Sequence, residues 1–332
     1  MQKTKYSIVV PVYNRPDEID ELLESLTHQC YKNFEVIIVE DGSSEPCDSV
    51  VKKYEGRLSI QYYKKENTGP GITRNYGAER SEGDFIIFFD SDCIIPSDYF
   101  NEVELEINAR PVDAFGGPDR AHESFSPIQK AINYSMTSFL TTGGIRGGRE
   151  RMDKFYPRSF NMGISRQVFE DTKGFSTLRF GEDIDFSLRI IKSGFSTRLF
   201  PKAWVYHKRR TDLKKFFRQV YNSGIARINL NILHPGTLKL VHLLPSAFVV
   251  SMLIFGLYVL ICKYSILVPL AYSLMVFINA WAITKKVNVA FLSIGAAWVQ
   301  LFGYGLGFLH AVWHRVILKG SIFNAFEKNF YK

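Results

Sequence analysis

The sequence is poor in cysteine, and its four cysteines are Cys30, Cys47, Cys93 and Cys262. No two of them form a Cys-x-x-Cys pair, the spacing typical of zinc sites and of thiol redox motifs. They are also too few and too dispersed for the disulfide framework of a small secreted domain. The sequence therefore indicates neither a zinc site nor a disulfide scaffold, and we expect reduced, mostly structural thiols.

The start of the sequence lacks the long apolar segment and small-residue cleavage site of a secretory signal peptide. Residues 1–10 instead run directly into an apolar pattern that is typical of a β-strand. We therefore expect the N-terminal part of the protein to stay in the cytosol.

Positive charge is not spread evenly along the chain, whose net charge is +8. A basic cluster opposed only by Asp212 comprises Lys208, Arg209, Arg210, Lys214, Lys215 and Arg218. Because this cluster comes just before a long apolar region, it favours contact with anionic lipid headgroups on the cytoplasmic face of a membrane. A solvated helix face is the alternative, and we predict no nucleic-acid partner.

The apolar region contains three stretches, Leu240–Cys262, Ser265–Thr284 and Val289–Trp313. Each is near the length of about 20 residues that crosses a bilayer as a helix. We predict about three transmembrane helices over residues 240–313. The third stretch contains Gly303-x-x-x-Gly307 and could instead be a re-entrant or interfacial element, or a helix that packs through these glycines. The number of spans and the side of the C-terminus stay open.

The rest of the chain divides into three parts. Residues 1–220 are predicted to form a catalytic domain, 221–239 a basic amphipathic juxtamembrane connection, and 314–332 a basic tail. A segment rich in glycine and arginine at 141–151 could be a lid over a bound anion or a simple connection.

Strand and helix patterns alternate in the first part of the chain. The predicted strands are Tyr6–Val12, Phe34–Val39, Leu58–Tyr63 and Phe85–Phe89, with helical spacing of apolar residues between them. This alternation predicts an α/β fold with a parallel sheet that is covered on both faces.

Two carboxylates, Asp90 and Asp92, follow the apolar run Phe85–Phe89 directly. An apolar run of this kind is typical of a strand buried on both faces, so the pair is expected at the strand exit, where open α/β sheets bind ligands. Closely spaced carboxylates repel each other unless a cation joins them, which favours a hard divalent ion. A solvated turn is the alternative for this motif taken alone.

Polar or glycine-rich motifs follow the strands in a fixed order. They are Val10-Pro11-Val12-Tyr13-Asn14, Val39-Glu40-Asp41-Gly42-Ser43, Asn67-Thr68-Gly69-x-x-x-x-Arg74-Asn75, Asp90-Ser91-Asp92 and Gly181-Glu182-Asp183. The ordered set, over about residues 5–220, strongly resembles family 2 of the inverting glycosyltransferases. The resemblance implies a GT-A fold, Rossmann-like with a mostly parallel sheet, followed here by a C-terminal α-helical membrane region. It also implies a nucleotide-sugar donor.

The resemblance places donor-nucleotide contacts at the strand ends. The implied positions are Pro11, Val12, Tyr13, Asn14, Asp41, Asn67, Gly69, Arg74, Asn75 and Ser91. The Asp41 carboxylate could accept a hydrogen bond from a base N–H, and the Arg74 guanidinium could serve the ribose or diphosphate. Glu40 stands where the family usually has a second Asp, which would alter base or ribose contacts.

The resemblance also implies a metal site and a general base. Asp92, assisted by Asp90, would hold Mg²⁺ or Mn²⁺ against the donor diphosphate, with His207 as a third ligand that favours Mn²⁺. Asp183 would remove the proton of the acceptor hydroxyl, giving inversion, and Glu182 would orient the acceptor or Asp183. The alternatives are a structural histidine at a strand end and an acidic first helix turn.

The chain lacks the Gln-x-x-Arg-Trp motif of processive synthases in this family, so we predict single sugar addition. The expected donor is a UDP-sugar and the expected acceptor a lipid-linked glycan, in assembly of bacterial surface polysaccharide. The expected location is the inner (cytoplasmic) membrane, multi-pass, with the catalytic domain in the cytoplasm. Transfer onto polyprenyl phosphate and a catalytically silent nucleotide-sugar binding scaffold are the alternatives.

Overall fold

The computed structural model describes residues 4–142, 155–259 and 261–326. The chain divides into two compact units. The first comprises Met1–His122 with Gly148–Lys208, and the second comprises Glu123–Gly147 with Arg209–Lys332. The first unit contains the described strands and is an α/β domain, whereas the second is helical.

The elements follow the predicted alternation in the first part of the chain. The strands are β1 (Tyr6–Val12), β2 (Phe34–Asp41), β3 (Ile60–Lys65), β4 (Phe85–Phe89), β5 (Cys93–Ile94), β6 (Ala114–Gly116), β7 (Asp119–Arg120), β8 (Asn161–Ser165), β9 (Thr197–Leu199) and β10 (Val205–His207). The helices are α1 (Pro16–Thr27), α2 (Asp48–Lys52), α3 (Pro70–Ala78), α4 (Tyr99–Ala109), α5 (Pro127–Thr137), α6 (Phe139–Thr142), α7 (Arg166–Thr172), α8 (Glu182–Lys192), α9 (Leu213–Leu233), α10 (Leu244–Tyr258), α11 (Leu267–Thr284) and α12 (Val287–Ala311).

The main sheet has the strand order β3-β2-β1-β4-β8-β6-β9. Strands β3, β2, β1 and β4 are mutually parallel. The side chains of β1, β2 and β4 are buried on both faces, whereas the edge strand β3 is only partly buried. Among the described strands of this sheet, β8 alone runs in the opposite direction. The prediction of an α/β fold with a mostly parallel sheet is confirmed.

A second sheet, with the order β5-β10-β7, contributes to the site. Cys93 of β5 lies opposite His207 of β10 in an antiparallel pairing. Because β5 begins one residue after Asp92, this pairing brings the histidine to the acidic motif that follows β4.

Glycines allow two helices of the second unit to pack closely. A Cβ added at Gly307 of α12 would lie 2.0 Å from the carbonyl oxygen of Tyr221 on α9, and one added at Gly224 of α9 would lie 2.2 Å from the carbonyl oxygen of Tyr304. Gly303 likewise faces Val220, with a Cβ position 2.5 Å from its side chain. Packing through Gly303-x-x-x-Gly307, one of the predicted alternatives, is confirmed.

Two segments are long and apolar enough to cross a membrane, Lys263–Thr284 and Val287–Ile317. The first of the three predicted spans instead gives α10, a helix of 15 residues. Only 11% of the apolar window in Lys263–Thr284 is buried inside the protein, which is not typical of the core helix of a soluble domain. This composition supports membrane association, while the count of three spans stays a prediction.

The predicted division of the chain at residue 220 falls inside α9, which is continuous over Leu213–Leu233. The compact α/β unit ends at Lys208. The functional assignment of residues 1–220, 221–239, 240–313 and 314–332 remains a prediction. Most of the segment 141–151 lies outside the described residues.

Candidate functional site

The predicted site residues lie in the α/β unit, at the edge where its parallel strands end. β1 ends at Val12, β2 at Asp41 and β4 at Phe89. The reversed strand β8 begins at the same edge, because Asn161 pairs with Phe89. Polar groups that follow these strands are therefore close in space, as expected for the ligand-binding edge of an α/β sheet.

Asp92 and His207 form the centre of the candidate metal site. The His207 Nε2 atom lies 3.1 Å from Asp92 Oδ1 and 3.7 Å from Asp90 Oδ2. Potential ligand atoms of Asp92, Cys93 and His207 all lie within 4.8 Å of one another. Carboxylate oxygen and imidazole nitrogen form a donor set that fits a divalent transition ion such as Mn²⁺. The geometry is compatible with the predicted role of His207.

Arg15, which the sequence reasoning did not single out, reaches the same aspartate. Its Nη1 atom donates to Asp92 Oδ2 at 3.3 Å and also to Glu18. Burial, and then the charge of Asp92, raise the pKa of Glu18. The only signal in the sequence was a basic residue directly after Asn14 at the exit of β1.

Arg74 connects the acidic motif after β4 with the start of α8. This buried guanidinium donates from Nη2 to Asp90 at 2.6 Å and from Nη1 to Glu182 at 3.3 Å. Its position on α3 explains the reach, since α3 follows β3 and its buried face includes Arg74. Two protein carboxylates thus engage a side chain that was predicted to serve the ribose or diphosphate.

Asp183, the predicted base, lies in the first turn of α8 beside Glu182. Its Oδ1 accepts from the backbone N–H of Ile184 at 2.8 Å, and its Oδ2 lies 2.8 Å from Nε of Arg158. Burial, and then the charge of Asp183, raise the pKa of Glu182 to about 7, against the opposing effect of Arg74. Arg158, which precedes β8, was not foreseen from the sequence.

Asp41 is held at the end of β2 by donors from the next loop. Its Oδ1 accepts from Lys65 Nζ at 2.6 Å and from the N–H of Thr68 at 2.9 Å, and its Oδ2 accepts from the N–H of Gly69 at 2.9 Å. The Asn67 side-chain amide donates to the Asp41 carbonyl at 2.7 Å. Gly69 has φ of +91°, which favours glycine where the loop turns into α3.

Two predicted donor contacts have side chains that are engaged with the protein. Asn14 Oδ1 accepts from the N–H groups of Ser44 and Glu45 at 2.8 and 3.0 Å. Asn75 pairs with the backbone of Phe175 in both directions, donating and accepting at 2.8 Å. These bonds fix the loops that border the site.

The remaining predicted positions are also at this edge. Pro11 and Tyr13 are half-buried at the end of β1, whereas Val12 and Ser91 are buried. Glu40, the departure from the family pattern, is buried, and its carboxylate accepts from Cys47 N at 2.9 Å and Tyr62 OH at 2.8 Å.

Comparison with known proteins gives consistent matches. A glycosyltransferase of Rickettsia bellii is 37% identical over 134 residues, which cover 40% of this chain and 19% of that protein. The poly(ribitol-phosphate) β-N-acetylglucosaminyltransferase TarS of Staphylococcus aureus is 37% identical over 113 residues, covering 33% of this chain and 19% of that protein. The chain therefore spans about a fifth of the length of these relatives.

A solved structure extends the comparison to the fold. The mannosyltransferase PcManGT of Pyrobaculum calidifontis, in complex with GDP-Man and Mn²⁺, superposes with a TM-score of 0.63 at 15% identity, over 90% of this chain and 88% of that one. This likeness supports the predicted GT-A fold. The family Glycosyl transferase family 2 matches residues 7–173, about half of the chain. The chain therefore belongs to glycosyl transferase family 2.

Proposed function

We propose that the protein transfers one sugar, with inversion, from a UDP-sugar to a lipid-linked glycan at the cytoplasmic face of a membrane. The observation that carries this proposal is the position of Arg74. One guanidinium contacts both Asp90 and Glu182, the neighbour of Asp183. The proposed metal ligands and the proposed base therefore belong to one site.

In the proposed reaction, Asp183 takes the proton of an acceptor hydroxyl. The hydroxyl oxygen forms a bond to the anomeric carbon from the side opposite the diphosphate, and the bond from that carbon to the diphosphate oxygen breaks. The bonding electrons leave with the nucleoside diphosphate. Each Asp183 oxygen carries a second lone pair besides the one used by Ile184 or Arg158, so a position remains for the acceptor proton.

Asp92, His207 and Asp90 would hold the divalent cation, which when bound would offset the charge that develops on the leaving diphosphate. Arg74 and Arg15 keep these carboxylates in place on the protein side. Glu182 fixes the first turn of α8 through Arg74 and so orients Asp183.

The hydrogen bonds of Asp41 support a pyrimidine base such as uracil over guanine. A carboxylate offers about four lone-pair positions. Three are taken by Lys65, Thr68 and Gly69, which leaves one on Oδ2. Uracil offers a single N–H on its pairing edge, whereas guanine offers two adjacent donors that need two acceptors. This argument favours a pyrimidine, uracil or thymine, over guanine and so agrees with a UDP-sugar, although PcManGT was solved with GDP-Man.

The second unit supports a membrane-associated acceptor. Its segment Lys263–Thr284 is apolar and largely uncovered by the protein, and α9 carries Lys214, Lys215 and Arg218 near its start. The name of TarS describes transfer of N-acetylglucosamine to poly(ribitol-phosphate). Together these features support a role in surface polysaccharide assembly at the inner membrane, with single rather than processive addition.

The test is release of nucleoside diphosphate by the full chain purified in detergent. UDP-, GDP- and dTDP-sugars are compared with Mn²⁺ or Mg²⁺, with and without membrane lipid extract. We expect release from a UDP-sugar that depends on the metal and falls by at least about 100-fold in Asp183→Asn, as expected for loss of a general base. Asp92→Ala should lower release to the level seen without metal, and added Mn²⁺ or Mg²⁺ should no longer raise it.

Asp171→Asn is the matched control, because Asp171 is an exposed carboxylate on α7. It should leave turnover unchanged. Donor binding without turnover would replace this proposal with the scaffold alternative. Activity retained in Asp183→Asn with polyprenyl phosphate as acceptor would favour direct transfer to that lipid.

A further inference from the structure

A cleft of about 320 Å³ lies on the α/β unit beside the start of β10. This volume is at the lower end of ligand pockets, which measure roughly 300–1,000 Å³. The residues that line it include Ser97, Asp98, Tyr99, Glu102, Lys202 and Trp204. None of these residues takes part in the site described above.

The polar groups of the cleft are available to a ligand. Glu102 is half-buried and Lys202 is exposed. Among the described residues, the side chains of these two make neither an ion pair nor a hydrogen bond. Tyr99 is different, because its buried hydroxyl donates to Asn161 at 2.6 Å. The cleft therefore offers a ligand the Glu102 carboxylate and the Lys202 ammonium group, whereas the Tyr99 hydroxyl already has its hydrogen-bond partner.

Trp204 is held in place from outside the cleft. The Arg120 guanidinium lies 4.2 Å from the centre of its ring, and the Tyr206 ring packs against it edge-on at 4.7 Å. Neither Arg120 nor Tyr206 lines the cleft. Trp204 itself is half-buried, and these two contacts fix the orientation of its indole before any ligand binds, which lowers the entropy cost of binding.

We propose that this cleft binds a carbohydrate chain. The electron-rich indole surface attracts the polarised C–H groups on a sugar ring face. The free carboxylate and ammonium groups can then accept from and donate to its hydroxyls. The carboxylates of Asp98 and Glu102 outnumber the ammonium group of Lys202, so the net negative charge of the cleft disfavours a phosphate. The positive charge of Lys202 in turn disfavours a bare metal ion.

The position of the cleft separates it from the reaction centre. Trp204 lies directly before β10 and three residues ahead of His207, which is roughly 10 Å at the rise of an extended chain. The cleft therefore holds a part of the glycan that is distant from the reacting hydroxyl. Only the identification of this glycan as the acceptor rests on the proposed function.

The test measures binding directly on the full chain in detergent, by saturation-transfer NMR and calorimetry. The probes are chitotetraose, maltotetraose and α-mannotetraose, with no donor present. We expect at least one tetrasaccharide to bind, and its affinity to fall about tenfold in Trp204→Leu, a loss of about 1.4 kcal/mol. Glu102→Gln, which keeps shape and breaks no contact within the protein, should weaken binding severalfold. Glu79→Gln, at an exposed carboxylate next to α3, should have no effect.

The proposal is overturned if no tetrasaccharide binds, or if binding is equal in wild type, Trp204→Leu and Glu102→Gln. Donor turnover is measured on the same preparations. Turnover without glycan binding refutes the cleft and leaves the proposed function intact. Glycan binding that depends on Trp204 without turnover refutes the proposed function and leaves the cleft intact.

Discussion

Replacing Arg74 by methionine should destabilise the α/β unit and at the same time strengthen its binding of a divalent cation. The Arg74 side chain is 4% exposed, and its partners Asp90 and Glu182 are 30% and 12% exposed. Removing one member of such a buried set leaves the others uncompensated, at a cost of about 3–5 kcal/mol. For a domain of this size the loss corresponds to a fall in melting temperature of roughly 10 °C.

The metal should reverse part of this loss. Arg74 competes for Asp90 Oδ1, so in Arg74→Met this oxygen is free for a cation. Because Asp90 is partly exposed, we expect only about a tenfold gain in Mn²⁺ affinity, or about 1.4 kcal/mol. The assay is thermal unfolding of the detergent-solubilised protein over a series of Mn²⁺ concentrations, with calorimetry for the affinity.

Arg80→Met is the matched control on the segment after α3. Arg80 is 35% exposed and has a 3.8 Å ion pair with Glu79. Its guanidinium also donates to the Tyr76 carbonyl at 2.8 Å and stacks on the Tyr76 ring. Because these contacts are partly exposed to solvent, its loss should cost only about 1–2 kcal/mol, less than the loss of Arg74. The reasoning is refuted if Arg74→Met melts within a few degrees of the wild type, or if Mn²⁺ raises both melting temperatures equally.

Two further changes test the site and the helical unit. The folded-state pKa of Glu182 is raised from 4.5 to about 7, so between these pH values the native state binds more protons than the unfolded state. The free energy of unfolding of the wild type should therefore fall relative to that of Glu182→Gln as pH rises through this window, by up to about 3 kcal/mol. The prediction is contradicted if denaturation experiments show the same pH dependence of stability for the two proteins from pH 4.5 to 7. Gly307→Val should lower thermal stability in detergent by about 3 kcal/mol or more, because its Cβ would meet the Tyr221 carbonyl at 2.0 Å. Gly256→Val, which meets no heavy atom within 4 Å, should be neutral, and an equal effect of both valines would show that close helix packing is not the cause.

The strands buried on both faces were predictable, and β1 and β4 begin and end at the predicted residues. Continuous apolar runs have few alternative interpretations when turn residues follow them. Strand β8 was missed because it is short and contains Gly163, which weakens a strand pattern. That glycine is required by tertiary packing, since a Cβ there would lie 2.1 Å from the Phe115 ring.

The sequence indicated which acidic groups to examine but not which basic groups reach them. Arg15 and Arg158 come from segments outside the acidic motifs, and their long side chains span several ångströms to Asp92 and Asp183. No periodicity encodes such contacts. The length of α10 was also missed, because hydropathy reports an apolar stretch and not where its helix ends.

The reversed direction of β8 affects how this fold can vary among related proteins. A strand parallel to β4 would place the loop that follows it at the ligand edge. Because β8 is antiparallel to β4, the segment that precedes it lies there instead, and Arg158 in that segment reaches Asp183. The entropy cost of a longer loop grows only slowly with its length. Insertions or deletions ahead of β8 can therefore reshape the surroundings of the proposed base while the sheet register stays fixed, which gives evolution a way to change acceptors without rebuilding the core.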